Sequence, residues 1–164
     1  MDKDIIEIIP HLFISNWFAS NNIDIIKAYN IKAVITLETH SKPHDILSYY
    51  RNNNIDFMYI YLDDIPDANI YNFFDSSYDF INSHIKNREN VLVHCYAGIS
   101  RSASIILNYM CKFLYMHNDL KNENPTDVVN KCLEYAKNKR PIINPNPGFL
   151  NQLKIKATEY RNYL

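Results

Sequence analysis

Residues 91–104 read Val-Leu-Val-His-Cys-Tyr-Ala-Gly-Ile-Ser-Arg-Ser-Ala-Ser, and the fold turns on how this stretch is read. Val91, Leu92 and Val93 form a short apolar run rich in β-branched residues, which predicts a buried strand. From Ser102 to Met116 apolar residues recur at Ala103, Ile106, Leu107, Met110, Phe113 and Leu114, the spacing of one helical face. Between strand and helix lies His94-Cys95-x5-Arg101, with Gly98 inside it. The chain has only two glycines, against an average share of about 7%, and one stands where a tight loop must turn onto a helix. Such a loop aims backbone N–H groups and the helix N-terminus at one centre, which makes an anion site. A cysteine at a helix N-terminus beside a cation is favoured as the thiolate, and Arg101 has the planar fork that grips two phosphate oxygens. A nucleophile facing a tetrahedral dianion is the arrangement for covalent phosphoryl transfer.

Outward from this loop, strands and helices alternate. Ile5–Ile9 and Leu12–Ser15 are short apolar runs separated by Pro10-His11, which predicts two small strands and a turn. Residues 16–30 read as one helix, 31–37 as a buried strand, 44–54 as a helix and 55–62 as a strand rich in aromatic and β-branched residues. Residues 70–86 carry Phe73, Phe74, Phe80, Ile81 and Ile85 on a helical stripe, read as core. Residues 117–126 form a polar, uncapped segment, expected to be a flexible surface insertion. Pro125–Lys139 is a helix with Lys137, Lys139 and Arg140 at its dipole-negative end, and a last helix runs to about Tyr163. The alternation predicts one α/β domain over residues 1–164, a central, mostly parallel sheet flanked by helices. Sites in such sheets lie beyond the carboxyl ends of the strands. Two stretches end there with chemistry: 91–95, and the loop carrying Asp63, Asp64 and Asp67.

The segment HCYAGISRSAS resembles the signature loop H-C-x-x-G-x-x-R-[ST] of the cysteine-dependent protein phosphatases. Its apolar, lysine-free form is similar to that of the dual-specificity group, and the resemblance extends from about Ile5 to Leu153, although Ser15 stands where many members have glycine. It implies hydrolysis of phosphate monoesters on protein tyrosine and on serine or threonine, with a phosphoprotein as partner and no cofactor. Cys95 would attack phosphorus, while Arg101 and the amides of Tyr96, Ala97, Gly98, Ile99, Ser100 and Arg101 hold the phosphate oxygens. The group's general acid lies about thirty residues before the cysteine and ten before the second residue of an aromatic pair. Here the pair is Phe73-Phe74, which selects Asp64, with Asp63 next. The hydroxyl of Ser102 would help the thiolate leave; read without the resemblance, Ser102 is a helix N-cap. His94 is expected to orient the loop from the core, and Asn146, in the turn 140–153 with Gly148, to buttress it. The other enzymatic readings are a phosphoinositide or RNA 5′-phosphatase, whose loops usually carry lysines or other polar residues where Ala97 and Ile99 stand. The binding-module reading is a catalytically dead phosphate reader.

Composition narrows the rest. A net charge of −1 gives no reason to expect nucleic acid or an anionic membrane as partner. Three cysteines, an odd number, argue for a reducing compartment; the expectation is a cytoplasmic protein, with the nucleus open. No apolar run approaches the ~18 residues of a membrane span. Cys111 and Cys132 are read as core, with Cys111 about 15 Å along the helix from Arg101. The six histidines show no ligand spacing, so no metal site is expected. Oligomeric state has no signature.

Overall fold

The computed structural model describes residues 4–164; residues 1–3 of the expected domain lie outside the described residues. Strands β1 (Ile5–Ile9), β2 (Leu12–Ser15), β3 (Ile31–Glu38), β4 (Asp56–Tyr61) and β5 (Asn90–His94) form one sheet in the order β1-β2-β5-β3-β4. Only β1 runs antiparallel, hairpinned onto β2 across His11, whose φ of 68° turns the chain. The pairings β2·β5, β5·β3 and β3·β4 are parallel. The α/β class and mostly parallel sheet are as expected.

The strands read as continuous apolar runs because both faces are covered. Successive side chains point to opposite faces. Leu12, Ile14, Ala33, Ile35, Leu37, Val91 and Val93 therefore join one core with α4 (Phe74–Ile85), α5 (Arg101–His117), α6 (Pro125–Lys139) and α7 (Pro147–Tyr163). Phe13, Val34 and Leu92 join the other, with α1 (Trp17–Ser20), α2 (Ile23–Ala28) and α3 (His44–Asn52). α5 is buried on all sides from Arg101 to Cys111. Ile105, Ile106 and Leu107 are at most 1% exposed, each such burial being worth about 1.5–3 kcal/mol. Cys111 and Cys132 are core, as expected, with sulfurs 3.6 Å apart.

Several boundaries differ from the sequence reading. Residues 16–30 form two helices, not one, because the Asn22 side chain accepts from Asp24 N–H and Ile25 N–H and starts a second helix in mid-segment; asparagine offers the backbone this alternative to continuing. Residues 71–73 are a 3₁₀ turn ahead of α4. Asn124 caps α6 by accepting from Thr126 N–H, and Leu120 packs against the core, so the segment 117–126 is both capped and anchored. α5 begins at Arg101 with Ser100 in the capping position. Ser102 therefore lies inside the first turn and is not the N-cap.

The parallel register brings the carboxyl ends of four strands to one edge. Ser15 stands beside His94, and Glu38 beside Tyr61. The loop 95–100 leaves β5 at that edge and enters α5.

Candidate active site

The loop begins at a histidine locked from below. His94 is fully buried, with Nε2 2.6 Å from Thr36 Oγ1 and Nδ1 3.1 Å from the Cys95 carbonyl oxygen. Burial pushes its pKa well below the ordinary value, and the charges of Lys42 and Arg101 push the same way against the bond to Cys95. The ring is therefore neutral. A carbonyl only accepts, so Nδ1–H donates to Cys95 O and Nε2 accepts from the Thr36 hydroxyl. His94 thus ties the start of the loop to β3 as a neutral ring.

Every carbonyl from Cys95 to Ser100 is engaged. Cys95 O accepts from His94, and Tyr96 O accepts from Trp17 N–H at 2.8 Å. Ala97 O and Gly98 O accept from Arg140 Nη2 and Nε at 3.2 and 3.1 Å. Ile99 O accepts from Asn144 N–H at 2.9 Å, and Ser100 O from the Ser104 amide and hydroxyl at 2.9 and 2.8 Å. A peptide plane whose carbonyl is held on one side presents its N–H on the other, so a run of such planes curls into an anion-binding cradle. The Gly98 N–H lies 3.3 Å from Cys95 Sγ. Gly98 has φ +67°, and a Cβ there would meet Ser15 O at 2.6 Å and Arg140 Nη2 at 3.0 Å, so conformation and space both require glycine.

Around the buried sulfur of Cys95 stand the other expected residues. Ser102 Oγ is 3.2 Å from Cys95 Sγ. Arg101 is 9% exposed; its Nη1 donates to Glu38 Oε1 at 3.2 Å and Leu62 O at 3.1 Å, while its Nε has no partner. A buried guanidinium N–H without an acceptor costs free energy that a bound oxyanion would return. Glu38 is itself 3% exposed, so the pair fixes one edge of the guanidinium in low dielectric.

Asp64 comes to the loop from β4. Its Oδ1 accepts from the Ser100 hydroxyl at 2.6 Å and from Asn146 Nδ2 at 2.9 Å. Asn146 also donates its N–H to Ser100 Oγ at 3.0 Å and caps α7 by accepting from Phe149 N–H. Asn146 thus touches the loop at one side chain, Ser100. The close approach of this turn to the Asp64 loop explains the second glycine: a Cβ on Gly148 would meet Pro66 O at 2.0 Å.

Two residues at the site were not singled out from sequence. Arg140 is 5% exposed and reaches under the loop; it stands at the end of α6, but its guanidinium spans two loop carbonyls instead of merely balancing a helix dipole. Burial draws its pKa down, while the charges of Asp4 and Cys95 oppose that. Glu38 ends β3 one residue past the apolar run, the only local signal it carries.

A family model described as "Dual specificity phosphatase, catalytic domain" matches residues 12–159. The chain is 33% identical over 149 residues to "Dual specificity protein phosphatase MPK-4" of Drosophila melanogaster, covering 91% of this chain and 35% of that protein. It is 32% identical over 154 residues to "Dual specificity protein phosphatase 1B" of Arabidopsis thaliana, covering 93% and 81%. This chain thus spans about a third of the length of the Drosophila relative. In structure it is similar to the Yvh1 phosphatase domain from Chaetomium thermophilum, with a TM-score of 0.80 at 26% identity, covering 94% of each chain.

Proposed function

The chain belongs to the dual specificity phosphatase family, and from that premise we propose that it hydrolyses phosphate monoesters on protein tyrosine and on serine or threonine. The observation that carries this reading is the cradle of residues 95–100, whose carbonyls are all engaged, around Cys95 Sγ. Cys95 attacks phosphorus in line, forming the sulfur–phosphorus bond as the ester oxygen leaves. Loop amides and the free edge of Arg101 hold the three equatorial oxygens. Asp64 gives its proton to the departing oxygen and then takes one from the water that hydrolyses the cysteinyl-phosphate. The 2.6 Å bond from Ser100 supports Asp64 in this role, because it ties the carboxyl to the loop that holds the phosphate. Ser102 Oγ, 3.2 Å from the sulfur, stabilises Cys95 as it leaves phosphorus. Asn146 positions Asp64 and Ser100 together.

The reaction so written needs no metal or other cofactor. Residues 1–164 act as one catalytic domain, with a phosphoprotein as partner and neither nucleic acid nor a membrane. A cytoplasmic or nuclear setting suits three unpaired cysteines. Among the described residues no helix is long and apolar enough to cross a membrane.

Turnover of phosphotyrosine and phosphothreonine peptides, before and after chelation and for Cys95→Ser, tests the proposal. Both peptides should be hydrolysed with chelator present. Cys95→Ser should lose turnover while retaining bound phosphopeptide, because the cradle remains. Activity lost to chelator alone, or kept by Cys95→Ser, would refute it.

A further inference from the structure

Beside the loop stand two large aromatic side chains that the chemistry above does not use. Phe18 is 68% exposed and Tyr96 54% exposed, their ring centroids 6.4 Å apart and the planes tilted by 59°. Phe18 is held there. Its helix α1 is fastened to the loop by Trp17 N–H on Tyr96 O and capped by Asn16. The Trp17 ring centroid lies 6.0 Å from that of His94 and 5.2 Å from the Lys42 ammonium nitrogen.

Phe18 also lines a groove of about 600 Å³ with Trp17, Ile23 and Pro43, which carries Asp24 and Asp45. Both carboxylates are exposed and stand in the first turns of α2 and α3, where they complement the helix dipoles. Neither has an ion-pair partner among the described residues. Lys42, against Trp17, is 6% exposed and donates to Asn21 Oδ1 and Ser20 Oγ, so its charge is turned away from solvent. The groove thus includes Phe18, which stands beside Tyr96 of the phosphate loop, and carries negative charge at Asp24 and Asp45.

We propose that this groove receives the substrate polypeptide flanking the phosphorylated residue, selecting an apolar or aromatic side chain next to that residue and a lysine or arginine beyond it. Continuity with the loop identifies the occupant: a polypeptide whose phosphate lies against Gly98 N–H and Arg101 and that leaves across Tyr96 meets Phe18, 6.4 Å away at the groove. An apolar side chain there covers Phe18 and Tyr96 from water, and a cation beyond it meets two unpaired carboxylates. The inference rests on the reading of residues 95–101 as a phosphate cradle.

The test compares kcat/KM for 4-nitrophenyl phosphate with that for two phosphotyrosine peptides. Both peptides carry leucine on each side of the phosphotyrosine; one continues outward with arginine and the other with glutamate. The small ester reports the cradle alone. Wild type should favour the arginine peptide by about fivefold, the scale of two exposed charge pairs, and the ratio should shrink with salt. Asp24→Lys/Asp45→Lys should abolish or invert that ratio with the small ester unchanged within about twofold. Phe18→Ala should lower kcat/KM on both peptides by about fivefold, again sparing the small ester. Equal rates on the two peptides in wild type, or a preference surviving in the double variant, would overturn the charged half of the inference. Peptide rates unmoved by Phe18→Ala would overturn the aromatic half. Hydrolysis of none of the three substrates by wild type would instead bring down the phosphatase reading, and this inference with it.

Discussion

Replacing Arg140 with methionine should loosen the cradle without touching Cys95. The guanidinium donates to two consecutive loop carbonyls, Gly98 O at 3.1 Å and Ala97 O at 3.2 Å, at a site where the residue is 5% exposed. A hydrogen bond to a charged group contributes about 1.5–3 kcal/mol, and a carbonyl left without its donor costs about 1–3 kcal/mol. Against this, methionine needs no desolvation, whereas burial opposes the charge of Arg140. The net loss of stability should therefore be about 2–3 kcal/mol, read as a lower urea midpoint at unchanged slope. The functional effect should exceed a general loosening. Carbonyls of Ala97 and Gly98 freed from Arg140 can turn toward the anion, and the positive charge that senses Cys95 is gone. The inhibition constant for vanadate should rise by about 10–30-fold, equivalent to about 1.4–2 kcal/mol. Arg140→Lys keeps the charge but cannot span both carbonyls with a planar fork, and should fall between. An Arg140→Met protein that folds and binds vanadate within twofold of wild type would refute the argument that outward-held carbonyls make the anion site.

Other outcomes follow from the same contacts. Asp64→Asn should slow hydrolysis of alkyl and phenyl esters of high leaving-group pKa by about 10²–10⁴-fold while sparing 4-nitrophenyl phosphate more, and Asp63→Asn should do neither; the reverse pattern moves the acid by one residue. Glu38→Gln removes the charge that fixes Arg101 Nη1 at 3.2 Å; kcat/KM should fall at least tenfold, and thermal unfolding should show a loss of about 1–3 kcal/mol. Burial lowers the Lys42 pKa to about 7 from an ordinary 10.5. Between those values the unfolded chain holds a proton that the folded one has lost, so stability rises with pH across that window, by about 1.4 kcal/mol per unit. Lys42→Met should lack this rise, and urea titrations of both proteins at pH 7, 8 and 9 would expose the difference.

The sequence by itself determined the elements whose signals are local. The apolar runs at 31–37 and 91–93, the helical stripe after Ser102 and the sparing use of glycine predicted a parallel sheet ending in an anion loop. Each of those signals lies within a few residues. The same locality carried Asp64 to the loop only through a resemblance, since an aspartate in a turn has its own bland reading. It also misread residues 16–30, where a 3.6-residue period hid the competing cap at Asn22. What only the tertiary structure decided is how the loop is held. Arg140 meets Gly98 across 42 residues, Ser100 meets Asp64 across 36, and Arg101 meets Glu38 across 63. A long polar side chain has no periodicity to betray its partner. Its direction is set when the sheet brings the ends of β2, β3, β4 and β5 to one edge and α6 and α7 return there. The burial that this creates then makes each unpaired donor or charge costly enough to require its partner.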